Sequence, residues 1–277
     1  MKIALISDTH LAPAATAFRC NAEAALAWIA ATEADLVVHL GDITADGAKD
    51  ERHFAEAAEV FAPLEGRIRF LPGNHDIGDN PMEGGGKDEP TVDAGRLAAY
   101  RRVFGRDWWS LEAGRWALIG LNAQLLGAGE AEEARQFDWL AERLAGARGP
   151  VGLFLHKPLF RDGPADEVVH HRYPPLAPRR RLFDMLAGCD LRFVVCGHTH
   201  QTRRFHVGEV EHVWAPSTAF VIPDRLQERI GDKVVGTMLL DLTDDGHQID
   251  LVVPSGLAQL DLADHAAVYP QLSRLLA

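Results

Sequence analysis

The sequence predicts an α/β fold whose connecting loops gather at one edge of a sheet. Three observations predict it. Short apolar runs at residues 2–6, 35–40, 67–71, 151–155 and 191–196 have the length of buried strands. Segments of helical composition separate them, beginning with 21–34 and 51–61. Each run also breaks at once into a turn that carries Asp, Asn or His: Ser7-Asp8, Gly41-Asp42, Gly73-Asn74-His75-Asp76, His156, and Gly197-His198-Thr199-His200.

Taken in order, residues 2–6 are a strand and 11–19 a loop. Residues 21–34 are alanine-rich, with Leu26 and Ile29 on one side, which favours a helix. A strand at 35–40 ends at Gly41-Asp42, and a helix follows at 51–61. The strand at 67–71 is stopped by Pro72 and Gly73, where glycine lets the chain turn sharply. Residues 77–95 are rich in Gly, Asp and Pro and bury little; they read as a loop, either a substrate lid or plain surface. A helix at 96–104 precedes a hairpin of 109–112 and 115–121 around Ala113-Gly114, with Trp108-Trp109 as core. Residues 131–144 place Phe137, Leu140 and Leu144 at helical spacing. The strand at 151–155 leads into a proline-rich loop at 157–178, a helix at 179–186 and a strand at 191–196. Further strands are expected at 210–214, 234–242 and 248–253, the last two joined by a turn at Asp244-Asp245-Gly246. Residues 257–276 suggest a short terminal helix that packs back or meets another subunit. No repeat or linker divides the chain, so one domain over 1–277 is expected, with its core at about 1–255 and a tail at 256–277.

Composition narrows the function. Hydrophobic residues make up 47% of the 277, enough for a substantial core. A net charge of -12 argues against broad nucleic-acid binding and against an anionic membrane surface, and bound cations would offset part of it. Cys20, Cys189 and Cys196 show no CxxC spacing, and an odd, sparse set suits a reducing compartment. No apolar run is long enough to span a bilayer and the first strand is too quickly polar for a signal peptide, so a cytoplasmic protein is expected. A homo-oligomer is left open.

If the strands share a sheet, their ends bring Asp8, His10, Asp42, Asn74, His156, His198 and His200 to one rim, with His75 beside them. Oxygen and nitrogen ligands without thiolates suit Fe, Mn, Zn or Co. Seven ligands are too many for one ion that also binds water; with one carboxylate shared they fit two divalent or trivalent ions. Asp8 and His10, like His198 and His200, alternate about a single residue, so in extended backbone each pair would face one pocket. Two ions about 3.5–4 Å apart can hold a hydroxide between them and bind the outer oxygens of a phosphoryl group, allowing in-line attack on phosphorus.

The ordered series SDTH, GDIT, PGNHD, LFLHK and CGHTH resembles the calcineurin-like metallophosphoesterase superfamily, in the style of its class III cyclic-nucleotide phosphodiesterase and glycerophosphodiesterase branch. The resemblance covers residues 3 to about 253. It implies a four-layer αββα sandwich with metal-binding loops at one rim of the sheets. It implies one ion held by Asp8, His10, Asp42 and His200, and another by Asp42, Asn74, His156 and His198, with Asp42 bridging. His75 would be the catalytic acid or transition-state stabiliser. The implied function is metal-dependent hydrolysis of a small phosphate ester by a metal-held hydroxide, most simply a phosphodiester such as a cyclic nucleotide or glycerophosphodiester. A phosphomonoesterase acting on a small ester or a phosphoprotein is the alternative. A non-catalytic scaffold of the same fold is a third reading, disfavoured because scaffolds lose ligands and all of these residues are present.

Two departures bear on specificity. Phosphoserine-type phosphatases carry GDxxDRG, whereas this chain has Ala45 in place of that Asp and Asp46 in place of that Arg. The orientation of His75 must then come from elsewhere, with Asp46 and Asp76 as candidates; Asp76 could equally cap the next turn. Many cyclic-nucleotide phosphodiesterases have a second His after the single one; here it is Lys157, either a phosphate contact or a surface charge. Among the other histidines, His39 reads as a satisfied interior residue, and His53, His206, His212, His247 and His265 as surface. No substrate role is assigned to His170-His171 or Arg172-Tyr173, and Arg179-Arg180-Arg181 reads as a solvated helix start.

Overall fold

Two sheets stack face to face, and side-chain alternation along their strands generates the layers. The computed structural model describes residues 1–81, 90–129, 131–244, 246–269 and 272. In the first sheet β1 (Lys2–Ile6), β2 (Leu36–His39) and β3 (Ile68–Phe70) run parallel. In the second, β4 (Trp109–Ala113) pairs antiparallel with β5 (Trp116–Leu121), which starts a parallel set with β6 (Val151–Leu155) and β7 (Leu191–Cys196). The edge strand β8 (Arg203–Val207) pairs antiparallel with β9 (Val210–Trp214), the last parallel member. The chain then returns to the first sheet as β10 (Thr237–Leu242), antiparallel to β1, and β11 (His247–Val252). The strand orders are β11-β10-β1-β2-β3 and β4-β5-β6-β7-β9-β8.

Successive side chains on a strand point to opposite faces. Ile3 and Leu5 therefore meet Phe154, Phe193 and Val195 between the sheets. Ala4 and Ile6 point the other way, against α1 (Thr16–Thr32), α2 (Arg52–Phe61) and α4 (Ala94–Phe104). Leu153, Leu155 and Val194 likewise pack outward against α5 (Ala131–Gly146) and α6 (Leu176–Leu186). Each such fully buried side chain stabilises the fold by roughly 1.5–3 kcal/mol. The result is the expected four-layer αββα sandwich.

Local expectations differ in a few places. The α1 helix starts at Thr16 rather than 21, because Phe18 is needed in a cluster with Ala219 and Phe220. The GNHD turn opens a one-turn helix, α3 (Asn74–Ile77). β8 was not expected: its sequence RRFHV alternates half-buried and exposed positions at a sheet edge. The expected terminal helix is instead, among the described residues, a 3₁₀ turn at Leu262–His265. Tyr269 and Leu272 beyond it are buried in the Phe18 and Phe220 cluster, so the tail packs back. The loop expected at 77–95 lies partly outside the described residues, as does the turn position Asp245. The ends of that loop pair with each other through Asp79 N to Pro90 O at 2.8 Å and Val92 N to Asp79 O at 3.0 Å. No helix among the described residues is long and apolar enough to cross a membrane.

Candidate metal centre

Every residue of the predicted set follows the carboxyl end of a parallel strand, where α/β sheets form their sites. Asp8 and His10 follow β1, Asp42 follows β2, Asn74 and His75 follow β3, His156 follows β6, and His198 and His200 follow β7. The loops are sewn together by the backbone: Asp8 N donates to Gly41 O at 2.9 Å, His10 N to Asp42 O at 3.1 Å, and Gly197 N to His156 O at 2.9 Å. Close approach explains two motif glycines. A Cβ on Gly73 would lie 2.1 Å from Asp42 Oδ1, and one on Gly197 would lie 1.9 Å from Ser7 Oγ.

The backbone of the site is strained rather than extended. Among the described residues six non-glycine positions have positive φ, and five are Asp8, His10, Asp42, His198 and His200, at 45–68°. The sixth, Glu33, caps α1 in the left-handed conformation. Left-handed conformation costs a non-glycine residue about 1–3 kcal/mol and clusters at functional sites. The alternating pairs therefore reach the centre from left-handed turns, not from the extended backbone that their spacing suggested.

The side chains converge in overlapping groups. Asp8, His10 and His200 form one buried trio; Asp42, His156 and His198 form another; His75 joins His10 and Asp42 in a third. Asp42 Oδ2 lies between the halves, 3.2 Å from His156 Nε2 and 3.9 Å from His10 Nε2. Its Oδ1 accepts from His75 N at 2.9 Å. His200 Nε2 lies 3.4 Å from Asp8 Oδ1 and 3.1 Å from His10 Nε2. His198 Nδ1 lies 3.1 Å from His156 Nε2. A carbonyl can only accept, so His156 Nδ1–H donates to Leu40 O and His200 Nδ1–H to Phe220 O, each at 2.8 Å. With Nδ1–H so engaged, both rings turn Nε2 toward the centre, the outer-partner arrangement typical of metal-binding histidines.

Electrostatics divide the set. Burial pulls the His156 pKa down, but the Asp42 carboxylate outweighs it and raises the value to about 9. Burial pushes Asp42 up, yet His156 and the other imidazoles hold it well below the usual range. Burial raises Asp8 and lowers His10, His198 and His200. Without a cation the centre therefore favours bare nitrogens on His10, His198 and His200 beside a charged Asp42, whereas His156 keeps its proton and burial favours the neutral acid at Asp8; a cation bound there would displace those protons. Asn74 supplies an independent test of fit: its buried Oδ1 has no hydrogen-bond partner. A buried amide oxygen without a donor is costly, and a cation satisfies it. The donor set fits divalent or trivalent transition-metal ions.

Several neighbours differ from expectation. His75 is oriented by neither Asp46 nor Asp76: its Nδ1–H donates to the backbone carbonyl of Ala45 at 2.7 Å. Ala45, which stands where phosphoserine-type phosphatases carry Asp, acts through its main chain. Asp76 instead binds the β2 loop to α3, accepting from Gly73 N, Ile43 N, Thr44 N and Thr44 Oγ1 at 2.7–3.1 Å. Lys157 is not a surface charge; it is fully buried and paired with Asp79. His39 is a satisfied interior residue, accepting from Gly41 N at 3.2 Å and reaching Thr9 Oγ1 at 2.9 Å. His212, expected at the surface, is buried against Phe160 and Phe205. Arg179 is buried and donates to Leu159 O and Asp166 O, holding the 157–178 loop; only Arg180 and Arg181 are exposed. A cleft of about 240 Å³ opens beside His198, lined by His170, His171, Arg172, Thr199 and Glu228.

A two-sheet α/β sandwich with an Asp/His/Asn cluster at its parallel strand ends defines a candidate metal-dependent protein. The chain belongs to the calcineurin-like phosphoesterase family, whose model matches residues 1–202. A relative from Psychrobacter arcticus, named "Probable cyclic nucleotide phosphodiesterase", is 28% identical over 191 residues. The match covers 67% of this chain and 64% of that relative's length. Among solved structures, a dimetal phosphatase from Danio rerio superimposes with a TM-score of 0.66 at 14% identity, covering 91% of this chain and 95% of the other. A purple acid phosphatase from yellow lupin (Lupinus luteus) seeds gives 0.67 at 15% identity, covering 94% and 52%. At these identities the likeness is one of fold.

Proposed function

We propose that the protein is a dinuclear metal-dependent phosphohydrolase that cleaves a small phosphodiester, such as a cyclic nucleotide or a glycerophosphodiester. The observation that carries the reading is the convergence of Asp8, His10, Asp42, Asn74, His156, His198 and His200, with the buried Asn74 Oδ1 lacking any other partner. In this reading Asp8, His10, Asp42 and His200 hold one ion, and Asp42, Asn74, His156 and His198 the other. The ions would be Fe, Mn, Zn or Co, and bound there they supply Lewis acidity and activate water at neutral pH. His75, held by Ala45 O and placed 4.9 Å from the His10 ring, is the group available to protonate a departing oxygen. The cleft beside His198 would take the part of the substrate that does not react.

Charge favours a diester over a monoester. A diester carries one negative charge and a monoester up to two, so the latter needs more cationic help. Of the basic side chains adjoining the centre, Lys157 pairs with Asp79, and Arg172, 3.7 Å from Glu228, shares that carboxylate with Arg161 at 3.0 Å. Asp46 stands where a phosphate-gripping Arg would be. The printed name of the Psychrobacter relative agrees with this choice. The test is hydrolysis of bis-p-nitrophenyl phosphate, p-nitrophenyl phosphate and cyclic AMP by the Mn(II)-reconstituted protein. Diester turnover well above monoester turnover is expected; the reverse order assigns a phosphomonoesterase, and no turnover of any of them favours the scaffold.

A further inference from the structure

The C-terminal tail contributes a polar contact to the centre from outside the matched family region, which ends at residue 202. Tyr269 is buried, and its hydroxyl lies 2.6 Å from His10 Nδ1. Its ring stands edge-on to His10, His75 and Phe220, with centroids 5.8–6.1 Å away. It covers one half of the centre. Asp8, His10 and His200 are at most 3% exposed; in the other half Asp42, Asn74 and His156 are also buried, and only His198, which borders the cleft of about 240 Å³, is half-buried.

We propose that Tyr269 is a positioning residue that locks the ion of the Asp8/His10/His200 half, making it the slowly exchanging member of the pair. The reason lies in what each ring nitrogen faces. His156 and His200 are held by carbonyls, which permit only an Nδ1–H. His10 faces a hydroxyl, which can either donate or accept. His10 Nε2 meets the bare Nε2 of His200 at 3.1 Å, a contact that needs a proton or a cation between the two lone pairs. With a proton on Nε2, Nδ1 accepts from the Tyr269 O–H. When a cation engages Nε2, the proton belongs on Nδ1 and is donated to the Tyr269 oxygen. Tyr269 satisfies His10 in both tautomers, and its ring closes the route by which that ion would leave. The inference rests on the dinuclear reading above.

The test uses full-length protein loaded with two zinc ions per chain and transferred into excess chelator with a colorimetric zinc indicator. The wild type should release zinc in two phases, fast from the side where His198 borders the cleft and slow from the Tyr269 side. Tyr269→Phe keeps the ring and removes only the hydroxyl, leaving the buried His10 Nδ1–H unpaired. It should accelerate the slow phase by about 10–100-fold, the usual loss when an outer partner of a metal-binding histidine is removed, and leave the fast phase unchanged. A purely structural tyrosine would not give this pattern, because phenylalanine preserves the packing. Tyr269→Ala, which also opens the route, should merge the two phases. Unchanged kinetics in Tyr269→Phe, or a single phase in the wild type, overturns the inference and leaves the dinuclear reading standing. A wild type that takes up no zinc overturns both.

Discussion

At the scale of single residues, Asp42 and His75 carry the sharpest expectations. Asp42 Oδ2 lies within reach of imidazoles from both halves, so in the proposed centre a carboxylate there would serve two cations. Asp42→Asn removes that charge and should weaken both ions together, while His10→Ala should weaken mainly one. Metal titration of the two variants decides: loss of one ion only in Asp42→Asn removes the bridging assignment. His75 is held through Nδ1 by the Ala45 carbonyl. A positioned acid is typically worth about 10²–10⁴-fold, and the benefit falls on alkoxide leaving groups, since p-nitrophenolate departs unprotonated. His75→Ala should therefore keep its metals and lose far more activity on an alkyl diester than on a nitrophenyl ester. Equal losses would assign His75 to the non-leaving oxygens, and loss of metal would make it a ligand. The clustering of the candidate ligands was legible because Asp, Asn and His directly after apolar runs are chemically conspicuous. Their orienting partners were not: Ala45 O, Leu40 O and Phe220 O are main-chain atoms, and Tyr269 reaches the centre from 259 residues away along the chain.

At the scale of elements, the site is a set of loops that must hold one another. Asp76 is the tie between the β2 loop and α3, and its side chain is the acceptor for three buried backbone N–H groups and the Thr44 hydroxyl. Asp76→Ala strands those donors, each costing about 1–3 kcal/mol when left unmade. Because such costs do not add in full, the metal-free protein should lose roughly 2–5 kcal/mol. Asp76→Asn, which keeps one acceptor oxygen, should lose less. Urea unfolding of the two variants measures this, and an Asp76→Ala midpoint matching the wild type would show that water satisfies the donors. Strands and long helices were legible where apolar periodicity was strong, as in 151–155 and 191–196, which match β6 and β7. β8 escaped because an edge strand with half-exposed alternation buries too little to mark itself. The start of α1 escaped because Phe18 is fixed by a partner, Phe220, that only the fold brings near.

At the scale of the whole molecule, the layer order follows from strand alternation, but the return of the chain to the first sheet as β10 and β11 has no local signal. The same holds for burial far from the site. His212 lies on β9, at the outer face of the second sheet, against Phe160 and Phe205. Burial, helped by the neighbouring His206, pushes its pKa down from 6.5 to about 4. Between those values the unfolded chain binds a proton at His212 that the folded protein refuses. Stability from this group is therefore complete above about pH 6.5 and is lost as pH falls toward about 4, with a limiting slope of about 1.4 kcal/mol per pH unit and a total on the order of 3 kcal/mol. His212→Phe fills the same apolar surroundings without a titrating group. Urea unfolding with chelator present, so that the metal centre contributes only its proton equilibria to both proteins, should show the variant losing about 2–3 kcal/mol less than the wild type between pH 7 and pH 4. Parallel pH profiles would mean that His212 titrates as an exposed imidazole, as its place in the sequence suggested, and that the outer face of the second sheet is open to water there.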